Sequence, residues 1–568
     1  MRRCFDIGFT MPELSRKING LFGERVYMLK QTLAVLLVLL IVFVRFSQIF
    51  IGLPYFDNHG HGNDCFFYEA GTKYIYEYPR SAYYCFGYWL SFITSNFFTD
   101  GSLLQLRVLQ FFMDCGIYTT VFFLLRKTFG NIAVLIGLFF AALAQSPAFS
   151  EFSCNGYSVF FISLSVLLLV NGLRKQNNIY VFLSSLLLAI NVLVRLPNVL
   201  DSLFVFLIPL YYYCYNNQGI GELVQSSKKS IVFFCLGYFV GLIACIVLLL
   251  CFNHFGYYCD FIDCVLFNKG KSAHGGSRIF HFFSINLITL CYYGLLLFFI
   301  YYVFACKLFG KVLILLLAAF ILYKLDFYSY KYFDYRSYLL PYSVLSAVSY
   351  FVIKDKIKCV CFWIVFAFML CLLFPIGSAS PNSFIYPFLG SFAYPITVGT
   401  IFFFYKKYKN KVRYYFLFLF VLTTCLSVFI WARFPYFFVL DRFEILTTGK
   451  IVDNIGVVTN ASDADKYNRY TERLKNYVDG KPVLTTDLFI HSTLNVKPFA
   501  IFISDWENPN PDKLLKNAYD EQKEMPVIVL YKNDTDMRGL LFSTDFVRKG
   551  RYKEVYSDDV FQIYRSDK

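Results

Sequence analysis

The stretch PYFDNHGHGNDCFFYEAGTKYIYEYP, residues 54–79, decides the reading of this chain. It follows a single long apolar run and precedes a chain that is mostly hydrophobic helix as far as Trp431. Asp57, His59, His61, Asp64, Glu69, Lys73 and Glu77 collect within it, whereas the apolar runs around it hold few ionisable groups, Asp114 being the clearest exception. Polar chemistry is therefore concentrated in a segment at the mouth of a large hydrophobic body. Transporters and channels place ionisable groups at mid-membrane instead.

Composition agrees. The 568 residues are 57% hydrophobic, 21% aromatic and 16% charged, against about 25% charged in a typical soluble domain. The mean hydropathy is +0.52, in keeping with a polytopic membrane protein. Most of the 17 Cys sit singly inside apolar runs, where Cys behaves as a small hydrophobe. The formal charge of +15 is carried largely by short turns between apolar runs, as topology signals are, which argues against nucleic acid as a partner.

The first apolar run predicts a span at 31–51, preceded by a polar N-terminal tail, residues 1–30. Outward from there the chain reads as spans near 103–125, 131–146, 157–171, 177–194, 199–214, 230–251, 284–305, 311–323, 337–353, 359–376, 385–405 and 415–431. The weaker segment 83–98 is short and interrupted by Gly, Ser, Thr and Asn, which predicts an interfacial or re-entrant helix. With it left out, the basic turns at 126–127, 174–175, 228–229, 307–311, 354–358 and 406–413 all fall on one side, and the loops 52–102, 252–282 and 324–336 on the other. The fold class is thus an all-α polytopic membrane domain over 31–431, with about 13 transmembrane helices. The N-terminus is expected in the cytoplasm. Residues 432–568 change character: IGVVT, PVLTT, FAIFI and PVIVLY read as strands, and 464–477 and 512–523 as helices, a small extracytoplasmic α/β domain. It has no glycine-rich nucleotide signature.

Several residues are candidates for a site. Alternate residues share a face of an extended chain, so His59 and His61 are candidate metal ligands, although a hydrated glycine-flanked loop is the plainer reading. No cofactor is assigned, and a divalent metal ion stays open. Arg195, in Arg195-Leu196-Pro197, ends a span where a charge must snorkel or meet an anion. Lys269, Lys271, His274 and Arg278, with a flexible Gly275-Gly276 pair, form a basic patch suited to phosphate or to anionic lipid. Lys331 and Arg336 form a second, among tyrosines that suit the membrane interface.

The span-plus-loop architecture and the run Asp64-Cys65-Phe66-Phe67-Tyr68-Glu69 resemble the GT-C glycosyltransferases that use polyprenyl-phosphate sugars, in particular bacterial aminoarabinose transferases, protein O-mannosyltransferase-like enzymes and surface-polysaccharide cluster enzymes. Cys65 departs from the family pattern, which often has Glu there. The resemblance implies the inner membrane of a bacterium as location and Asp64 as catalytic base, with Asp57 as the alternative. It implies Arg195 and the loop cations as phosphate partners, and Tyr68 and Glu69 as residues shaping the sugar site. A polyprenyl-phosphate-linked sugar would be the donor, and a lipid-linked glycan, lipopolysaccharide component or protein hydroxyl the acceptor. A polymerase or ligase using a pyrophosphate-linked glycan is the alternative, and a lipid-linked glycan transporter a third.

Overall fold

The computed structural model describes residues 11–51, 71–145, 152–216, 220–267, 294–295, 297, 301, 340–376, 386–409 and 412–567, apart from 73, 81–82, 434, 437, 440–441, 454, 479, 486–489, 492–493, 501–510 and 533–534. Its helical part consists of α1 (Met11–Ser47), α2 (Trp89–Phe98, after a 3-10 segment Tyr83–Tyr88), α3 (Leu103–Phe129), α4 (Asn131–Ala144), α5 (Cys154–Lys175), α6 (Asn178–Ile190), α7 (Leu207–Tyr215), α8 (Ile220–Cys251), α9 (Phe255–Phe267), α10 (Leu340–Lys354), α11 (Lys358–Leu373), α12 (Tyr386–Lys407) and α13 (Val412–Arg433). Among the described residues, 7 helical stretches are long and apolar enough to cross a membrane, in α1, α3, α5, Leu196–Tyr215, α8, α12 and α13. This is a multi-pass membrane protein. The 10 residues of α2 cover roughly 15 Å, half of a hydrocarbon core of about 30 Å. Spans read at 284–305 and 311–323 and the loop 324–336 lie almost wholly outside the described residues.

Three local readings change. Residues 11–30 of the N-terminal segment are helical and continuous with the first span: Pro12 sits in the first turn, where its missing N–H costs nothing, and no later residue breaks the helix. The span read near 199–214 opens as a 3-10 helix, Leu196–Phe206, with Pro197 at its start and Arg195 extended at φ −161° before it. The loop read at 252–282 begins as a helix, α9. Asn253 adopts the left-handed conformation at φ 57°, which ends α8 and lets α9 start at once. Phe261 of α9 then fills the space over Gly87, where a Cβ would lie 2.4 Å from its ring.

The described basic turns gather at one end of the bundle. Trp363 donates to Thr128 Oγ1 at 3.2 Å, joining α11 to the end of α3. Lys407 pairs with Asp355 at 2.9 Å, joining α12 to the turn after α10. Lys358 lies 4.5 Å from the ring centre of Tyr213 at the end of α7. The opposite end carries α2, α9 and the end of α1, and there the region after α13 makes its described contacts: Val452, Val457 and Tyr467 share a buried cluster with Trp89 and Phe261, and Val458 N–H donates to Phe50 O at 3.0 Å.

Beyond α13 come short strands β1 (Pro435–Tyr436) and β2 (Phe438–Val439), α14 (Arg442–Thr448), the hairpin β3 (Lys450–Val452) with β4 (Val457–Thr459), α15 (Ala461–Val478), β5 (Val483–Thr485), α16 (Pro511–Gln522), β6 (Val527–Tyr531), α17 (Thr535–Ser543), α18 (Asp545–Gly550), β7 (Tyr552–Ser557) and β8 (Phe561–Ser566). The main sheet runs β5-β6-β8-β7, with β5 and β6 parallel and the rest antiparallel. Leu484, Ile528 and Leu530 pack on α16 and α17, and Val483, Val527 and Val529 pack on α15. A strand buried on both faces needs such an unbroken apolar run. FAIFI only begins to pair: Phe499 N–H donates to Val483 O at 2.8 Å, and its residues 501–503 lie outside the described residues.

Glycines set the closest helix approach. A Cβ on Gly237 of α8 would lie 2.3 Å from Phe182 O, and one on Gly241 2.5 Å from Ala189 Cβ, both on α6. Small residues four apart let two helix backbones meet where no hydrophobic force separates protein from lipid. Gly241→Val is expected to lower stability by about 1–3 kcal/mol through overpacking, read as a fall in the melting temperature of the detergent-solubilised protein; an unchanged melting temperature would refute the close approach.

His491 is fully buried beside the Ile490 cluster, with neither ring nitrogen hydrogen-bonded among the described residues. Burial penalises the imidazolium and holds its pKa at about 3, against an ordinary 6.5. Between those values the unfolded chain binds a proton that the folded chain refuses. Stability from this site is therefore complete above about pH 6.5 and declines as the pH falls toward 3. His491→Leu is expected to flatten that acid limb in thermal unfolding across pH 4–7, and an unaltered acid limb would count against the assignment.

Candidate functional site

The segment 52–70, which carries Asp57, His59, His61, Asp64, Tyr68 and Glu69, lies outside the described residues; both of its flanks are described. On the first flank, Arg45 sits in the last turn of α1, where a cation suits the helix dipole. Its guanidinium makes a buried ion pair with Asp114 of α3 and a hydrogen bond to Gln48. Gln110 Nε2 donates to the other oxygen of Asp114 at 2.8 Å. Gln48 Nε2 donates to Gln145 O at 2.8 Å, just after α4. Arg107 Nη1 donates to Ile49 O at 3.1 Å, satisfying a carbonyl that the end of α1 leaves open. Arg45, Gln48, Arg107, Gln110, Asp114 and Gln145 are all buried. They bind α1, α3 and α4 together at the point where the chain leaves α1.

On the second flank, Gly71 leaves no room for a side chain, since a Cβ would lie 2.2 Å from the Phe92 ring. Thr72 and Ser95 share a hydrogen bond of 2.6 Å between hydroxyls, and Asn96 Nδ2 donates to Thr72 O at 2.7 Å. Residues 71–72 are thus fixed on α2. That helix is in turn tied to the bundle by Thr94 Oγ1 donating to Tyr157 OH at 3.1 Å.

His254 joins α2 to the junction of α8 and α9. Trp89 Nε1–H donates to its Nδ1 at 3.0 Å, which leaves the ring proton on Nε2. Tyr76, Phe86, Phe252 and Tyr257 surround the imidazole. Burial lowers its pKa, so the ring stays neutral and serves as a joint between elements.

Arg195 is the candidate phosphate partner that the structure describes. It is 3% exposed and donates from Nη1 to Phe374 O at 2.8 Å and from Nη2 to Ile376 O at 3.1 Å, past the end of α11. Its guanidinium carbon also lies 5.1 Å from the Phe374 ring centre. Asp201 accepts a hydrogen bond from Asn191 Nδ2 at 2.9 Å. Lys269, Lys271, His274, Arg278, Lys331 and Arg336 lie outside the described residues. Among the described residues no group of 3 or more His, Cys, Asp or Glu side chains is placed to hold a metal ion.

The sequence reading named Asp114 but missed its partners. The signal was present: Arg107, Gln110 and Asp114 recur at spacings of three and four, one face of a helix, inside an apolar span.

The sequence matches no protein-family model and no curated protein. Among solved structures the chain is similar to apo ArnT from Cupriavidus metallidurans, with a TM-score of 0.49 at 9% identity over 93% of this chain and 97% of that one. It is similar to the Archaeoglobus fulgidus oligosaccharyltransferase in complex with zinc and sulfate, with a TM-score of 0.46 at 12% identity over 94% and 73%. The Cupriavidus ArnT bound to undecaprenyl phosphate gives 0.38 at 12% identity over 93% and 97%.

Removing one member of a buried ion pair costs about 3–5 kcal/mol, whereas replacing both with apolar groups is often neutral. Asp114→Leu alone is therefore expected to destabilise the protein strongly, and Arg45→Met with Asp114→Leu to recover most of the loss. Equal losses in the single and double variants, measured by thermal unfolding in detergent, would refute the pairing.

Proposed function

We propose that this protein is an inverting glycosyltransferase that moves a sugar from a polyprenyl-phosphate-sugar donor to a hydroxyl acceptor at the extracytoplasmic face of the membrane. The observation that supports it is the anchoring of both flanks of 52–70 at one end of a polytopic helical body: one flank by the Arg45–Asp114 network, the other by Thr72 on α2. That is the demand of the chemistry. A long lipid carrier needs the bilayer, its phosphate lies at headgroup level, and a base must be held beside it. The basic turns gathered at the opposite end of the bundle support an extracytoplasmic placement by charge bias.

In this reading Asp64 takes the proton of the acceptor hydroxyl as its oxygen attacks the anomeric carbon. The bond from that carbon to the phosphate oxygen breaks on the far face, which inverts the configuration, and the polyprenyl phosphate leaves. Lys269, Lys271, His274, Arg278, Lys331 and Arg336 would meet the departing phosphate directly. Arg195, engaged with two carbonyls, would act on it through charge. Tyr68 and Glu69 would shape the sugar site. The described intramembrane ions are engaged with protein groups, an arrangement that suits anchoring better than a transport path.

The test is turnover of a panel of radiolabelled polyprenyl-phosphate hexoses and pentoses by the purified full-length protein. General-base catalysis contributes roughly 10²–10⁴-fold. Asp64→Asn is expected to lose at least about 10²-fold in turnover while still binding undecaprenyl phosphate, with Asp57→Asn as the comparison. Full activity of Asp64→Asn would remove Asp64 from the mechanism, and turnover of only pyrophosphate-linked glycans would favour a polymerase or ligase.

A further inference from the structure

The region after α13 touches both flanks of the segment 52–70. On the first flank, Val458 N–H of β4 donates to Phe50 O at 3.0 Å, and Ile51 pairs with Val458 as a parallel bridge. The last residues before the segment therefore add an edge to the β3–β4 hairpin. On the second flank, Lys497 Nζ donates to Tyr78 OH at 2.6 Å and lies 3.9 Å from its ring centre. Arg80 N–H donates to Glu521 Oε1 of α16 at 2.8 Å. The apolar layer beneath is shared. Val452, Ile455, Val457, Ala464 and Tyr467 lie in one buried cluster with Ile75, Phe86, Trp89, Phe92, Leu103 and Leu106.

We infer that the C-terminal region is a positioning part of the enzyme, holding the two flanks of the catalytic segment in fixed register with the helical body, with Lys497 and Glu521 as positioning residues. The inference rests on the function proposed above for its catalytic consequence, but its structural content stands apart from that reading. The apolar cluster supplies adhesion without direction. The strand bridge, the cation over Tyr78 and the bond from Arg80 supply direction, because each is satisfied in one geometry only. Lys497, in the connection after β5, and Glu521, on α16, also lie apart in the chain, so a shift of the C-terminal region as a body would release both together.

The experiment uses full-length protein in nanodiscs, with Lys497→Met and Glu521→Ala combined. Two conservative variants serve as controls. Lys497→Arg keeps a cation over the ring, and Glu521→Gln keeps an oxygen that accepts from Arg80. Amide hydrogen exchange is read in peptides covering 46–51 and 71–80, and kcat and KM are read with the polyprenyl-phosphate sugar found above. Binding of undecaprenyl phosphate is measured in parallel. The Met/Ala variant is expected to exchange faster in both peptides and to lose about tenfold or more in kcat, since small misplacements of reacting groups cost up to about 10²-fold. KM and undecaprenyl phosphate binding are expected to change less than about twofold, and the Arg/Gln variant to restore both exchange and kcat.

Unchanged exchange in both peptides would overturn the inference. Faster exchange with unchanged kcat would overturn the positioning role, as would a rise in KM with kcat intact. If the wild type turns over no polyprenyl-phosphate sugar, the proposed function fails. The exchange measurement then still decides whether the C-terminal region holds the flanks.

Discussion

The rotation of α1 about its own axis is the constraint from which the rest of the site follows. Leu37, Ile41, Val44, Arg45 and Gln48 are buried, while Val35, Leu36, Val38, Leu39, Val42, Phe43 and Phe46 are exposed on the opposite side. Successive residues of a helix are about 100° apart. A turn of α1 by one residue would therefore carry Arg45 toward lipid, where a charge is costly unless it snorkels to the headgroups, and would leave Asp114 buried without its cation. Both penalties point the same way, so one orientation prevails. That orientation fixes where Phe50 and Ile51 emerge and which strand edge they meet.

The polar groups used for this are few and interlocked. Asp114 accepts from Arg45 and Gln110, and Gln48 bridges Arg45 to the end of α4. The neighbouring small residues serve the same end. Gly156 lies where a Cβ would come within 2.5 Å of Gln110 Oε1, so α5 can close over the network only because that position has no side chain.

How much of this was legible in the sequence depends on the range of the interaction. Spans at α3, α5, α8, α12 and α13 were readable because twenty apolar residues in a row have few other uses. The side on which the basic turns collect was readable because Arg126, Lys175 and Lys406 stand next to those runs. α9 was misread as loop because Asp260 and Asp263 disguise a helical face built on Tyr258, Phe261 and Ile262. The strand β7 was missed because Lys553, Glu554 and Val555 are exposed on an edge strand and give no clean alternation, whereas β8, inside the sheet, does carry the signal in buried Phe561 and Ile563 about Gln562. The partnership of Arg45 with Asp114, 69 residues apart, and of Lys497 with Tyr78, 419 apart, leaves no local pattern at all. Of the candidate site, Arg195 was legible as a charge that must find a partner, but not that its partners would be the backbone carbonyls of Phe374 and Ile376.

The docking of the C-terminal region shows why apolar and polar contacts divide the work as they do. The cluster of Phe86, Trp89 and Phe92 against Val452, Val457 and Tyr467 buries several large side chains, each worth about 1.5–3 kcal/mol. The bonds from Val458, Lys497 and Arg80 contribute about 0.5–1.5 kcal/mol apiece after exchange with water. Adhesion thus comes from the cluster, and loss of any single polar contact would leave the region in place. An apolar surface tolerates sliding by an ångström at small cost, whereas a strand bridge at Ile51 tolerates none without losing its bond. Placing the directional contacts on the two flanks of 52–70, rather than at the centre of the apolar layer, puts the constraint on the chain that bears Asp57 and Asp64.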